Sequence, residues 1–312
     1  MIASMEKKTW TARPSLHIAR SHPATAVYQD RIYLFGGGAP AFKSLNTVEI
    51  FDPKTNQWSF GKEMPTLRSG AAAVTVDDKI YVMGGGFKKP DGKFQFYDLV
   101  EIYDPGTDSW EKGPSLLQPH DYPAFALLHE EIYIIGGHHP KATEGGPQTD
   151  PGFAFCEKLN LQKGKWEEIA SLNYPRFALS AGVLGDQIAA FGGVACSAKG
   201  FSEYDVIEIY DPEKNKWFTE KNLALPWPAA AQGGMTFKNG IYLFGGYSTE
   251  GIHTRSAFFH PQKRDWELLP SLDEPRAAVT PVVVQNEVFL AGGWAKDGRT
   301  PVQTVTSLQL PF

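Results

Sequence analysis

Short apolar runs recur along the chain, and six of them end on a double glycine. The runs read IYLF, IYVM, IYII, IAAF, IYLF and VFLA, ahead of Gly36–Gly37, Gly84–Gly85, Gly136–Gly137, Gly192–Gly193, Gly245–Gly246 and Gly292–Gly293. They are strand-length, and no stretch holds an apolar i, i+3, i+4, i+7 pattern long enough for a major helix. Each is preceded by a run rich in small residues (AAAVTV, ALSAGV) and followed by a variable polar stretch. A second β word then leads to a tryptophan: VEIFDPKTNQW, VEIYDPGTDSW, IEIYDPEKNKW. The tryptophans are Trp58, Trp110, Trp166, Trp217 and Trp266, with the word worn down to CEKLNLQKGKW in the third unit and AFFHPQKRDW in the fifth. The pattern predicts four strands per unit. Strand a carries the small residues, b ends on the glycines, c is the VEIYD word and d holds the tryptophan. Asp-Pro with Asn, Gly or Lys supplies turn chemistry between c and d. Asn239–Gly240 reads as a two-residue hairpin turn between a and b.

The glycine pairs are spaced 48, 52, 56, 53 and 47 residues apart. A period of about 50 residues, built from four strands with a double glycine and a spaced tryptophan, resembles the kelch repeat. Tryptophan–aspartate repeats run at about 40–45 residues and end on a Trp-Asp dipeptide, and neither feature occurs here. The resemblance covers the whole chain. It implies an all-β fold, a six-bladed β-propeller of four antiparallel strands per blade, as a single domain over residues 1–312. The last unit stops at Phe312 without a strand d, and Trp10 has no strands before it. The N-terminal strand around Trp10 is therefore expected to complete the C-terminal blade, leaving no edge exposed.

In such a blade the b–c and d–a connections share one face, and loop variation there is where function enters a repeat scaffold. The longest b–c loop opens at His138 in the third unit, and those of units two and four are also long. One register stands out. Twelve residues before strand b lie Arg20, Arg68, His120, Arg176, Ala229 and Arg276. At the entry to strand a these side chains are expected to ring the channel mouth, where guanidinium forks suit carboxylates or phosphates. A structural role is open as well: satisfying local carbonyls or pairing with a neighbouring blade. In kelch modules that recruit acidic peptides this position contacts ligand, which the resemblance extends to Arg20, Arg68, Arg176 and Arg276. In the fifth unit, Trp227 offers an aromatic wall beside Ala229. His120 is expected close to His138 or His139, as a titratable patch.

Composition narrows the function class. The 312 residues are 42% hydrophobic with a formal net charge of −5, which suits a protein with a substantial core and argues against non-specific nucleic-acid binding. No apolar run approaches the ~18 residues of a membrane span. The N-terminus lacks the apolar core of a signal peptide, so a cytoplasmic setting and two free thiols, Cys156 and Cys196, are expected. The phosphate-loop, nucleophile-elbow and H-E-x-x-H templates are all missing. So are the Tyr-His dipeptide of kelch copper radical oxidases and the Glu-x-x-x-Asp-x-x-x-His loop of iron-binding specifier proteins. No metal or cofactor is expected. The leading expectation is a monomeric binding module that presents its loop face to an acidic peptide or protein partner, or to a small anionic ligand. The alternative is a mutarotase- or epimerase-like enzyme acting on an acidic sugar. Its acid–base candidates are His120, His138, His139, Glu144, Glu203 and Asp205.

Overall fold

Each repeat folds as one antiparallel sheet in the order a–b–c–d, as in Ala24–Tyr28, Arg31–Phe35, Val48–Asp52 and Gln57–Gly61 of blade 1. The computed structural model describes residues 9–143 and 149–310, and they form six such sheets. Among the described residues, helix is limited to a single 3-10 turn, Pro40–Phe42. No helix among the described residues is long and apolar enough to cross a membrane. Strand b is apolar throughout because both its faces are covered: Ile32, Tyr33, Leu34 and Phe35 are all buried. Strand a faces a central bore, lined by Val74, Phe125, Val183, Met235 and Thr280 among others.

Local chemistry explains the turns. Asp52 and Asp104 each accept two backbone N–H groups from the residues that follow, which fixes the turn between strands c and d. The a–b turn of blade 5 differs from expectation. Its two turn residues are Lys238 and Asn239, at φ 46° and 60°, while Gly240 opens strand b opposite Phe237. Gly240 serves packing instead: a Cβ there would lie 2.1 Å from the Phe258 ring.

Blades are stitched together by repeated bonds. Each strand-d indole reaches a carbonyl of the preceding blade or the loop leaving it: Trp58 to Pro14, Trp110 to Lys62, Trp166 to Pro114, Trp217 to Ala170 and Trp266 to Ala224. Trp10 makes the sixth such bond, to Pro270 at 3.0 Å. Just after it, Thr11–Arg13 pairs with Val305–Gln309, so the two ends of the chain share blade 6. Closure by the N-terminal strand is the observed architecture.

The double glycines have a steric reason. The second glycine of each pair donates its N–H to the backbone carbonyl of the next blade at the position of Arg20, closing a ring from Gly37→Arg68 round to Gly293→Arg20. A Cβ on the first glycine would collide with that same carbonyl, at 2.3 Å for Gly36 and 1.9 Å for Gly245. The first glycines also sit at positive φ, which glycine alone adopts without cost.

Candidate functional site

The arginines do not line the channel mouth. Arg20, Arg68, Arg176 and Arg276 are 0–4% exposed, buried inside their own blades. Arg20 donates to the carbonyls of Gly36 and Thr47 and pairs with Glu49 at 2.5 Å. Arg68 and Arg176 pair in the same way with Glu101 and Glu208. His120 is equally buried and copies the pattern, with Nδ1 on the Gly136 carbonyl at 2.6 Å and Nε2 3.1 Å from Glu157. Burial holds the guanidinium pKa values below the ordinary range, and the paired glutamates oppose that shift in the first, second and fourth blades. The glutamates also anchor the incoming d–a loop: Glu49 accepts the N–H groups of His17 and Ile18, and Glu157 those of Leu117 and Gln118. A buried charge needs such pairing to be tolerated, and among the buried nitrogens of these side chains only the Nε groups of Arg68 and Arg176 are left without a hydrogen bond. The structural role left open by the sequence is therefore the one these side chains play, and their forks are occupied within the fold.

Blades 5 and 6 show the same logic by substitution. In blade 5 both partners are lost together, and Ala229 and Ala257 pack with Trp227 in a small apolar cluster. Trp227 is only 9% exposed, with the Arg255 guanidinium 5.7 Å from its ring centre, so it is core and not a wall of the mouth. In blade 6 Thr306 stands at the carboxylate position, and Arg276 bonds the carbonyls of Gly292 and Thr304 alone. The glutamate partners were legible in the sequence as the second letter of VEIFD, VEIYD, CEKLN and IEIYD, present only where the ring residue is Arg or His.

Two residues further on, the chain builds the mouth itself. His22, Gly70, Tyr122, Ala178, Ala231 and Ala278 all sit at positive φ. Each N–H donates to the carbonyl of the equivalent residue in the preceding blade, from His22→Ala278 round to Ala278→Ala231. The backbone thus closes a second ring at the loop end of the bore. Only two of its side chains are large. The His22 ring lies edge-on to Tyr122 at 4.3 Å and to Trp294 at 4.5 Å. Tyr122 in turn meets His138, which stacks on Phe177 at 3.9 Å. This arc of rings spans the mouth. Below it the bore encloses about 330 Å³, walled mainly by alanine, glycine and aliphatic side chains.

Above the ring, the residue after each double glycine forms a rim: Gly38, Gly86, His138, Val194, Tyr247 and Trp294. Four are bulky and two are glycines, so the rim is notched over blades 1 and 2. A cleft occupies the notch, bounded by Asp121 and Tyr122 on one side and by Trp294 and Arg299 on the other. The b–c hairpins of blades 1 and 2 overhang it with Phe42, Phe87, Lys88 and Phe94. Phe42 is 53% exposed, with the Lys88 ammonium 5.5 Å above its ring. Lys88 and Arg299 are both exposed at its edge. The nearby Asp297 carboxylate is turned onto its own loop, accepting from Arg299 N–H and from Thr300.

His138 meets aspartates, not His120. Its Nδ1 is 2.5 Å from Asp150, which also accepts the N–H groups of His139 and Gly152. Its Nε2 is 4.0 Å from Asp121. Asp121 is 3% exposed, and burial, reinforced by the Asp150 charge, pushes its carboxyl well above the usual range. Burial, with a smaller effect from His138, holds His22 down at about 3. Glu203 and Asp205 lie across the face on blade 4, and Glu144 falls outside the described residues. Both cysteines are free thiols, with Cys156 buried and pushed up to about 12. No group of three or more potential metal ligands occurs among the described residues.

Residues 1–193 match the model of the KLHDC2/KLHL20/DRC7 Kelch-repeats domain. Human Kelch-like protein 23 is 27% identical over 296 residues, covering 95% of this chain and 49% of that protein. Beta-scruin of Limulus polyphemus is 25% identical over 217 residues, covering 67% of this chain and 23% of that protein. The chain thus spans about half the length, or less, of these curated relatives. The solved structure of YjhT is similar in fold, with a TM-score of 0.78 and 17% identity over 96% of this chain and 97% of that one.

Proposed function

Because the chain belongs to the kelch-repeat family, we propose that it is a protein-binding module whose loop-face cleft over blades 1, 2 and 6 receives an acidic segment of a partner. The observation that carries this reading is the notched rim. Gly38 and Gly86 open a cleft where the rim of the other blades is filled, and the cleft is walled by aromatics and edged by Lys88 and Arg299. On a protein of net charge −5, cations gathered at one aromatic cleft favour an anionic partner and suit an exposed peptide more than a buried small molecule. The expected binding of acid is retained, but its seat moves from the buried arginines to the loop tips. The ring arginines on which the sugar-processing alternative rested are already engaged with carbonyls, three of them also with glutamates. Amide hydrogen exchange with a Glu-rich dodecapeptide is the test. Protection is expected in the hairpins at residues 38–44 and 86–96 and in the loop at 294–301; protection confined to strand a and the bore would contradict the reading.

A further inference from the structure

The floor of the cleft holds a polar group that the fold leaves without a partner. Asp121 Oδ1 is buried and makes no hydrogen bond. It points into the notch, because it fills the space of two missing side chains: a Cβ on Gly70 would lie 2.8 Å from Oδ1 and one on Gly86 3.4 Å. The Tyr122 backbone N–H faces the carboxylate and favours its charged form. His138 Nε2 faces Oδ2 from the end of strand b, at 4.0 Å, and Asp150 stands behind His138 on the blade 3 loop. Tyr122 and, beyond it, His22 lie on the mouth ring, while Arg299 and Lys88 stand at the outer edge. A buried polar atom without a partner is costly, and this one alone among the buried unpartnered side-chain atoms of the described residues lines the cleft, where a partner can be supplied from outside.

We infer that Asp121 presents a neutral carboxyl to the cleft and donates a hydrogen bond from it to a carbonyl or carboxylate oxygen of the bound acidic segment. This inference rests on the reading of the cleft given above. The neutral form resolves an electrostatic conflict, since an ionised Asp121 would repel the ligand that Lys88 and Arg299 attract. Burial and the neighbouring Asp150 charge both favour that form. The arrangement makes binding proton-linked. A bound acceptor stabilises the protonated carboxyl, so affinity is full while Asp121 is protonated and falls as pH rises through its titration.

The experiment pairs carbon-13 carboxyl NMR with fluorescence anisotropy of a labelled Glu-rich dodecapeptide, from about pH 5 to about pH 9, where the peptide stays ionised. Asp121→Asn assigns the resonance and supplies a neutral donor at every pH. The wild type should lose about tenfold in affinity as pH rises through the Asp121 midpoint, and Asp121→Asn should bind with no break there. Asp121→Ala should bind weakly throughout. A midpoint near the ordinary aspartate value of about 3.9, or the same pH profile in wild type and Asp121→Asn, would overturn the inference and leave the cleft reading standing. Absence of peptide binding by the wild type at every pH would overturn both.

Discussion

At the scale of single residues, the Arg–Glu pairs show how a repeat places charge in a core. Breaking one partner of a buried pair costs about 3–5 kcal/mol, whereas replacing both with apolar groups is often near neutral. Blade 5 already carries the double replacement as Ala229 and Ala257, both buried. Arg176→Ala alone should therefore destabilise by about 3 kcal/mol. Arg176→Ala with Glu208→Ala should cost less than the sum of the singles, with a coupling of about 2 kcal/mol in denaturant unfolding. Strict additivity would show that the pair is not the unit holding the d–a loop. The ring arginines were visible in the sequence, but their direction was not. Periodicity fixes which register a residue occupies; whether its side chain turns to the bore or into the blade depends on the carboxylate two strands away. Glu49, Glu101, Glu157 and Glu208 carried that information.

At the scale of strands and turns, the alternation of apolar runs with turn residues specifies the blade closely. The b strands, the Asp-led c–d turns and the tryptophan bonds all follow from words repeated in the sequence. Gly240 shows the limit: Asn-Gly reads as a hairpin turn, yet the strand register sets the turn one residue earlier and keeps the glycine for the Phe258 ring. The short strand Thr11–Arg13 is the element on which closure depends. Deleting residues 1–12 removes the Trp10 bond to Pro270 and most of the fourth strand of blade 6. It also exposes Trp10's contacts in the cluster with Phe244, Leu269 and Leu310. The truncation should unfold at markedly lower temperature, by a stability loss of about 3 kcal/mol or more. An unchanged melting temperature would contradict the shared blade.

At the scale of the whole molecule, two closed backbone rings hold the six blades, and departures from sixfold repetition make the site. The mouth ring carries a histidine and a tyrosine among small residues, and the rim carries two adjacent glycines among bulky side chains. Both asymmetries were present in the sequence at fixed offsets from the double glycines. They became readable only once the blade geometry showed which offsets meet at the mouth. His138 was singled out from its place at the head of the longest loop. Of its aspartate partners, Asp150 sits near the other end of that same loop and Asp121 beside His120, the residue that drew attention instead.

On the proposed function, the cations at the notch, and not the buried arginines, draw an acidic partner to the loop face. Anisotropy titration of the Glu-rich dodecapeptide against wild type and the Lys88→Glu/Arg299→Glu variant tests it most directly. Both residues are exposed, Lys88 on the blade 2 hairpin and Arg299 on the blade 6 loop, and surface changes of this kind alter stability by about 0.5 kcal/mol or less. At least about a tenfold loss of affinity is expected in the variant at low salt, with the gap narrowing as salt is added. Equal affinity of the two proteins for the peptide would contradict it.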